Sequence, residues 1–275
     1  MSAILRALAR ASTRLAATSD TPRLDAELLM AAALGIGHDR LLLDPPGGEA
    51  PATFADFIER RGAGEPVAYI TGRRGFWNID LEVGPGALIP RPDSETLIAA
   101  AVEHFAATPG PKRILDLGTG PGTLLLAALD EWPKATGLGI DSSPIALSYA
   151  QRNAERLGLS GRAALQLGDW ARDVAHRYDL ILCNPPYVAA DAPTGPGVAD
   201  YEPTEALFAG PDGLDDYRRL APQLGRVIAP GGLAAIEIGF DQADAVTALF
   251  AESGLFSHLA RDLGGRPRAL LVGSS

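Results

Sequence analysis

Ile114-Leu-Asp-Leu-Gly-Thr-Gly-Pro-Gly122 is an apolar run that ends on three closely spaced glycines. A strand that turns on glycines and opens a helix is the start of a parallel βαβ unit. Glycines at 118, 120 and 122 let the backbone turn tightly and approach a ligand, and the helix that follows points free N–H groups at any negative group placed there. A dinucleotide loop prefers G-x-G-x-x-G, whereas the spacing here is G-x-G-x-G. No pyrophosphate is therefore required, and a carboxylate such as that of a methionine moiety suits the same loop.

Around this loop, from Pro92 onward, strand-like and helix-like segments alternate. Strands are expected at Arg113–Leu117, Ala135–Ile140, Ala163–Leu167, Asp179–Cys183, Leu233–Ile238, Phe256–Ala260 and Ala269–Val272. This is the pattern of an α/β fold whose parallel sheet is covered on both faces, and the last two strands are close enough for an antiparallel hairpin at its edge. Upstream, residues 1–64 read as helices only: Ile4, Leu5, Leu8 and Leu15 recur at helical spacing, as do Leu24, Leu28, Leu29 and Ala32, with Pro22 suited to a first turn and Gly35 to an end. Arg6, Arg10 and Arg14 form a basic stripe that fits an ordinary first helix better than a targeting peptide. Within 65–91, Val67–Ile70, Gly75-Phe-Trp77 and Ile79–Val83 read as short strands of a hairpin linker, which leaves 92–275 as the sheet domain. Val188 to Gly213, with Pro193, Gly195, Pro196, Gly197 and Pro203, is the longest irregular stretch and reads as a lid or binding loop.

The bulk numbers narrow the function. The chain has 275 residues, 47% hydrophobic and 21% charged, with a net charge of −10. That balance suits a packed globular protein and weighs against binding nucleic acid through phosphates. Cys183 is the only cysteine, so no internal disulfide forms and a cytoplasmic location is expected. The four histidines are scattered and give no metal-ligand spacing.

Two further positions extend the glycine loop into a site. Asp141 stands nineteen residues after Gly122 at the end of the next strand, where an acid can accept hydrogen bonds from ribose hydroxyls; a helix-capping role before Ser142-Ser143-Pro144 is the plain alternative. In Leu167-Gly-Asp-Trp170, Asp169 can accept from an adenine amino group and Trp170 can contact the ring, or both can be ordinary loop residues. In this order the features favour a nucleoside ligand.

Asp179-Leu-Ile-Leu-Cys-Asn-Pro-Pro-Tyr187 is the most specific stretch. Two prolines remove two successive backbone donors after an apolar strand, so the carbonyls of Asn184 and Pro185 are left out of a ladder. With the Asn184 side-chain oxygen they can converge as acceptors for a planar –NH2 group, while Tyr187 can lay its ring on a flat substrate. Asn184, Pro185 and Tyr187 are the catalytic candidates, and Asn184, Pro185, Pro186 and Tyr187 the substrate-binding ones.

Taken together, these motifs resemble those of the bacterial protein-(glutamine-N5) methyltransferases that modify peptide chain release factors. Glu65-Pro-Val-Ala-Tyr-Ile-Thr-Gly72, Leu88-Ile-Pro-Arg-Pro-Asp93, Asp116-Leu-Gly-Thr-Gly120, Asn184-Pro-Pro-Tyr187, Glu202-Pro203, Gly213-Leu214, Glu237-Ile-Gly239 and Arg266 stand in that family's order over roughly residues 20 to 272. The resemblance implies a Rossmann-like, seven-stranded class I methyltransferase sheet with an N-terminal helical domain and a β-hairpin linker. It implies S-adenosyl-L-methionine as methyl donor, S-adenosyl-L-homocysteine as product, and the glutamine of a Gly-Gly-Gln loop in release factors as target. It assigns cofactor contacts to Gly118, Thr119, Gly120, Pro121, Gly122, Asp141, Trp170 and Asn184, to which the reading of the residues adds Asp169. Pro121 departs from the small hydroxyl residue common in the family and removes one N–H from the loop. No metal, no membrane and no direct nucleic-acid contact are expected, and the chain is read as a monomer with the helical domain docking the protein substrate. The alternatives are a glutamine methyltransferase of a ribosomal protein, an adenine-N6 methyltransferase of nucleic acid, and a non-catalytic protein-binding module.

Overall fold

The computed structural model describes residues 2–195 and 197–273; Pro196 of the long loop lies outside the described residues. The chain divides into two compact units, residues 1–73 with 193–201, and residues 74–192 with 202–275.

The first unit is helical. It contains α1 (Ala3–Leu15), α2 (Pro22–Leu34), α3 (His38–Leu43), α4 (Ala52–Gly62) and α5 (Val67–Thr71). The Ser2 hydroxyl caps α1 by accepting from the Leu5 N–H, and Gly35 ends α2 with a left-handed backbone. Ile4, Leu8, Leu15, Leu29, Met30, Phe54, Ile58 and Ile70 form its core, and Arg6, Arg10 and Arg14 lie on the exposed side of α1. Buried Asp25 keeps its charge satisfied by accepting from the Ser19 and Thr21 hydroxyls and the Arg61 Nε–H. One expectation fails here: Val67–Ile70 is helix, not strand. Pro66 stands just before the helix, its ring fixing the entry, and Gly72 supplies the left-handed end; these flanks outweigh the β-forming side chains between them.

The second unit opens with the hairpin β1 (Arg73–Phe76) and β2 (Ile79–Glu82), followed by α6 (Glu95–Phe105), β3 (Arg113–Leu117), α7 (Thr123–Glu131), β4 (Thr136–Asp141), α8 (Pro144–Arg156), β5 (Ala163–Leu167) and β6 (Tyr178–Cys183). A single turn, α9 (Val198–Tyr201), belongs to the helical unit; α10 (Asp215–Val227), β7 (Ile228–Glu237), α11 (Ala243–Glu252), β8 (Phe256–Arg261) and β9 (Pro267–Gly273) complete the chain. Seven strands make one sheet in the order β5-β4-β3-β6-β7-β9-β8. All neighbours are parallel except β9, which runs antiparallel between β7 and β8. The chain moves outward from β3 through β4 to β5 and returns to the other side of β3 as β6. The strand order therefore reverses between β3 and β6, and an open α/β sheet leaves its crevice at such a point, beyond the carboxyl ends of the strands. The register Leu117↔Cys183 then sets Gly118 beside Asn184.

Asn153, wholly buried on α8, ties hairpin and glycine loop together. Its Oδ1 accepts from the Glu82 N–H at 2.7 Å, and its Nδ2 donates to the Glu82 carbonyl at 3.0 Å and the Pro121 carbonyl at 2.9 Å. Asn153→Ala strands these groups without partners and is expected to cost about 2–3 kcal/mol of stability, read by urea unfolding.

Candidate active site

A cavity of about 270 Å³ lies beyond the carboxyl ends of β3, β4 and β6. The glycine loop forms one wall. Its N–H groups are mostly committed internally: those of Gly118 and Thr119 donate to the Ile140 carbonyl, that of Gly120 to Asp141 Oδ2, and that of Gly122 to the Thr119 carbonyl. Exposed N–H groups for an anion are thus to be sought in the first turn of α7, where Thr123 and Leu124 line the cavity. Gly122 does not line it; its φ of 88° turns the chain into α7, and a Cβ there would meet Leu126 at 2.7 Å. Gly118, with a φ of 71°, gives room to Trp170, whose ring lies 3.3 Å from where a Cβ would stand.

Asp141 ends β4 and lines the cavity. Its Oδ1 accepts from the Ser143 N–H and its Oδ2 from the Gly120 N–H, both at 2.8 Å, so it braces the glycine loop against the following turn. The residue capping α8 is Ser143, whose hydroxyl accepts from the Ala146 N–H. Burial raises the Asp141 carboxyl above its ordinary range, against the pull of those backbone donors.

Beside Gly118, Trp170 has a backbone φ of 51°, a left-handed conformation that an aromatic residue adopts only when its surroundings impose it. Asp216 on α10 lines the cavity with it. Asp169 is flanked on both oxygens, by Arg219 on one and Arg172 on the other. An adenine amino group would share this carboxylate with two guanidiniums.

The prolines after β6 end its ladder, and Asn184 and Pro186 face the cavity. The Asn184 Nδ2 donates to the Ser94 hydroxyl at 3.1 Å, so its Oδ1 is the atom left for a ligand. Pro185 is buried and does not line the cavity. Neither does Tyr187: its ring packs on the sheet core and its hydroxyl donates to Glu237 Oε1 at 3.2 Å. The structure thus brings together Gly118, Thr119, Gly120, Pro121, Asp141, Asp169, Trp170, Asn184 and Pro186 around one cavity, with Gly122, Pro185 and Tyr187 behind its wall.

Two acids unassigned by the sequence reading stand here. Asp116 on β3 is fully buried at the cavity wall; its Oδ2 accepts from the Thr119 hydroxyl at 2.6 Å and the Leu125 N–H at 3.0 Å, while its Oδ1 has no hydrogen-bond partner among the described residues. Burial pushes its carboxyl up to about 7. Glu237 ends β7, also fully buried, and burial pushes it up to about 7 against the Ser94 hydroxyl, Arg268 and Tyr187. An acid inside an apolar strand, as in Arg113-Ile-Leu-Asp-Leu117 and Leu233-Ala-Ala-Ile-Glu237, is the signal that marks both. Arg91 and Glu202 were quoted only as motif members; Glu202, buried, accepts from Arg91 and from the Ile89 N–H at 2.9 Å and fixes the 88–91 segment of the cavity wall.

The family model described as the PrmC N-terminal domain matches residues 6–72, and that described as the methyltransferase small domain matches residues 94–198. The release factor glutamine methyltransferase of Caulobacter vibrioides is 44% identical, covering 92% of this chain and 89% of that protein. That of Rhodospirillum rubrum is 45% identical over 97% of this chain and 84% of that protein. Among solved structures, the ribosomal protein L11 methylase of Lactobacillus delbrueckii subsp. bulgaricus superposes with a TM-score of 0.52 at 22% identity, covering 71% of this chain and 85% of that one, a likeness of fold. With such relatives matched along nearly its whole length, the chain belongs to the release factor glutamine methyltransferase family.

Proposed function

We propose that this chain transfers a methyl group from S-adenosyl-L-methionine to the side-chain amide nitrogen of the glutamine in a release factor's Gly-Gly-Gln loop. The observation that carries the reading is Asn184, set beside the glycine loop with its Nδ2 held by Ser94 and its oxygen left for a ligand's –NH2.

The cavity's chemistry fits the methyl donor. The unpartnered Asp116 Oδ1 is a buried acceptor at the wall, matched to an ammonium group, and Asp141 retains lone pairs for ribose hydroxyls. The first turn of α7 supports a carboxylate, and Trp170 an adenine face. When bound, S-adenosylmethionine supplies a methyl group activated by a sulfonium, with a neutral thioether as leaving group.

The residues act by position. A glutamine amide is a weak nucleophile because its lone pair is delocalised into the carbonyl. Asn184 Oδ1 accepts one N–H and orients the nitrogen toward the methyl; alignment of this kind is worth effective molarities of roughly 10⁵–10⁸ M. The same oxygen stabilises the positive charge that builds on N–H during attack. Pro185 and Pro186 keep the segment out of the sheet ladder. Tyr187, its ring on the core, anchors the segment from behind. The proton leaves to water after transfer. The helical unit is assigned to docking the folded protein substrate, in the cytoplasm and as a monomer, with no direct nucleic-acid contact.

Asn184→Ala is expected to lower kcat on a purified release factor by about 100-fold or more while the cofactor dissociation constant, read by calorimetry, changes little; undiminished turnover overturns the reading. Asp141→Ala is expected to weaken cofactor binding by about tenfold. Asp116 adds a pH signature. It is ionised above about 7 and protonated below, and only the ionised form holds a cation, so cofactor affinity is expected to fall as pH drops from 8 to 6. Asp116→Asn binds more weakly and flattens that dependence; an equally steep profile in the variant would place the titrating group elsewhere.

A further inference from the structure

Ile89, Pro90 and Arg91 line the cavity, and Pro92 follows them. An arginine between two prolines has little backbone freedom. The proline after it confines Arg91 to extended backbone, found at φ −100° and ψ 139°. The Arg91 carbonyl accepts from the Ser94 N–H at 3.2 Å, and the Pro90 carbonyl accepts from the Arg74 Nε–H at 3.3 Å. The guanidinium is held as well. Glu202 has a side chain only 1% exposed; its Oε1 accepts from Arg91 Nη2 and its Oε2 from the Ile89 N–H at 2.9 Å. Burying a carboxylate is costly unless its partners are in place, and this one fixes an arginine whose own side chain stays 35% exposed.

The charges around the cavity are unequal. Among the described residues, five acids line it against two arginines, Arg91 and Arg219. Arg219 is engaged at both tips of its fork, through Nη1 with Asp216 and through Nη2 with Asp169. The hydrogen bonds of the described residues engage Arg91 through Nη2 alone. A guanidinium carries five donors in one plane, so those on Nη1 and Nε remain for a ligand. S-adenosylmethionine carries a sulfonium, an ammonium and a carboxylate. Acids suit the first two and repel the third, and the start of a helix offers the third only a partial charge.

We propose that Arg91, positioned by Glu202, is the cation that takes the carboxylate of the methionine moiety. The proposal rests on S-adenosylmethionine as methyl donor and assigns one end of it. It is independent of which group accepts the methyl.

Removing the arginine alone strands the buried charge of Glu202, so the variant tested is R91M/E202Q. Both charges then go, and the new amide oxygen still accepts from the Ile89 N–H. Calorimetry on the full-length wild type and on this variant compares S-adenosylmethionine with decarboxylated S-adenosylmethionine, which lacks only the carboxylate; thermal melting confirms folding. The wild type is expected to prefer the intact donor by about 10- to 100-fold, the range of a charge-assisted hydrogen-bonded pair. R91M/E202Q is expected to prefer it by less than about threefold, with affinity for the decarboxylated donor little changed. A preference that survives in the variant leaves the carboxylate to the first turn of α7 and overturns the proposal, as does a wild type without the preference. If the variant does not fold, the wild type decides. Phenylglyoxal labelling of Arg91, read by peptide mass spectrometry, is expected to slow about tenfold under saturating S-adenosylmethionine and little under the saturating decarboxylated donor; equal labelling under both overturns the proposal. Should the preference be present in the wild type and lost in the variant while release factor glutamine is not methylated, the proposal stands and the substrate reading falls. Binding of neither donor removes both.

Discussion

A carboxylate buried at the end of an apolar strand keeps its charge only where donors reach it, and the geometry of this site follows from that constraint. β3, β4 and β7 each end in or near an acid: Asp116, Asp141 and Glu237. Each holds nearby chain in a fixed place as the condition of its own satisfaction. Asp116 draws in the Thr119 hydroxyl and the first turn of α7. Asp141 draws in Gly120 and Ser143. Glu237 draws in Tyr187. The acids thus build the cavity by recruiting its walls. Two of them remain incompletely satisfied, at Asp116 Oδ1 and Glu237 Oε2, and a buried group left so is a sign of function more often than of stability.

The sheet topology makes this arrangement usable. Because strand order reverses between β3 and β6, the glycine loop and the Asn-Pro-Pro-Tyr segment leave neighbouring strand ends and a crevice opens between them. The loop supplies turns and a helix start; the segment after β6 supplies acceptors freed from the ladder by prolines. A cofactor with positive charge and a substrate with a planar –NH2 group place complementary demands on such a crevice. On the proposed reading, acceptors stand on both sides of one gap.

Much of this was legible in the sequence because its signals are local. The seven strands came from alternation of apolar runs with helix-like segments, and all seven are found, the longest correction being β7, which begins at Ile228 instead of Leu233. Gly118, Asp141, Trp170 and Asn184 came from motifs whose chemistry is local. What was hidden depends on pairing at a distance. Val67–Ile70 looks like a strand by side-chain type, and its helical state is set by Pro66 and Gly72 and by Ile70 joining the helical core. Tyr187 reads as a ring for the substrate, but its hydroxyl reaches Glu237, fifty residues away, and the ring goes to the core. Asp169 reads as an acceptor for an adenine amino group or an ordinary loop acid, and the arginine on α10 that pairs with it is likewise fifty residues on. Ser94 carried no signal of its own; only the folded chain brings its hydroxyl to the Asn184 Nδ2, ninety residues away.

The most direct measurement of the central claim is tandem mass spectrometry of a release factor after incubation with this protein and S-adenosylmethionine, beside a ribosomal protein and an adenine-containing nucleic acid under the same conditions. The account predicts one added methyl on the side-chain nitrogen of the glutamine in the Gly-Gly-Gln loop, absent when that glutamine is replaced by glutamate. Methyl transfer to adenine, or to the release factor carrying glutamate, would contradict it.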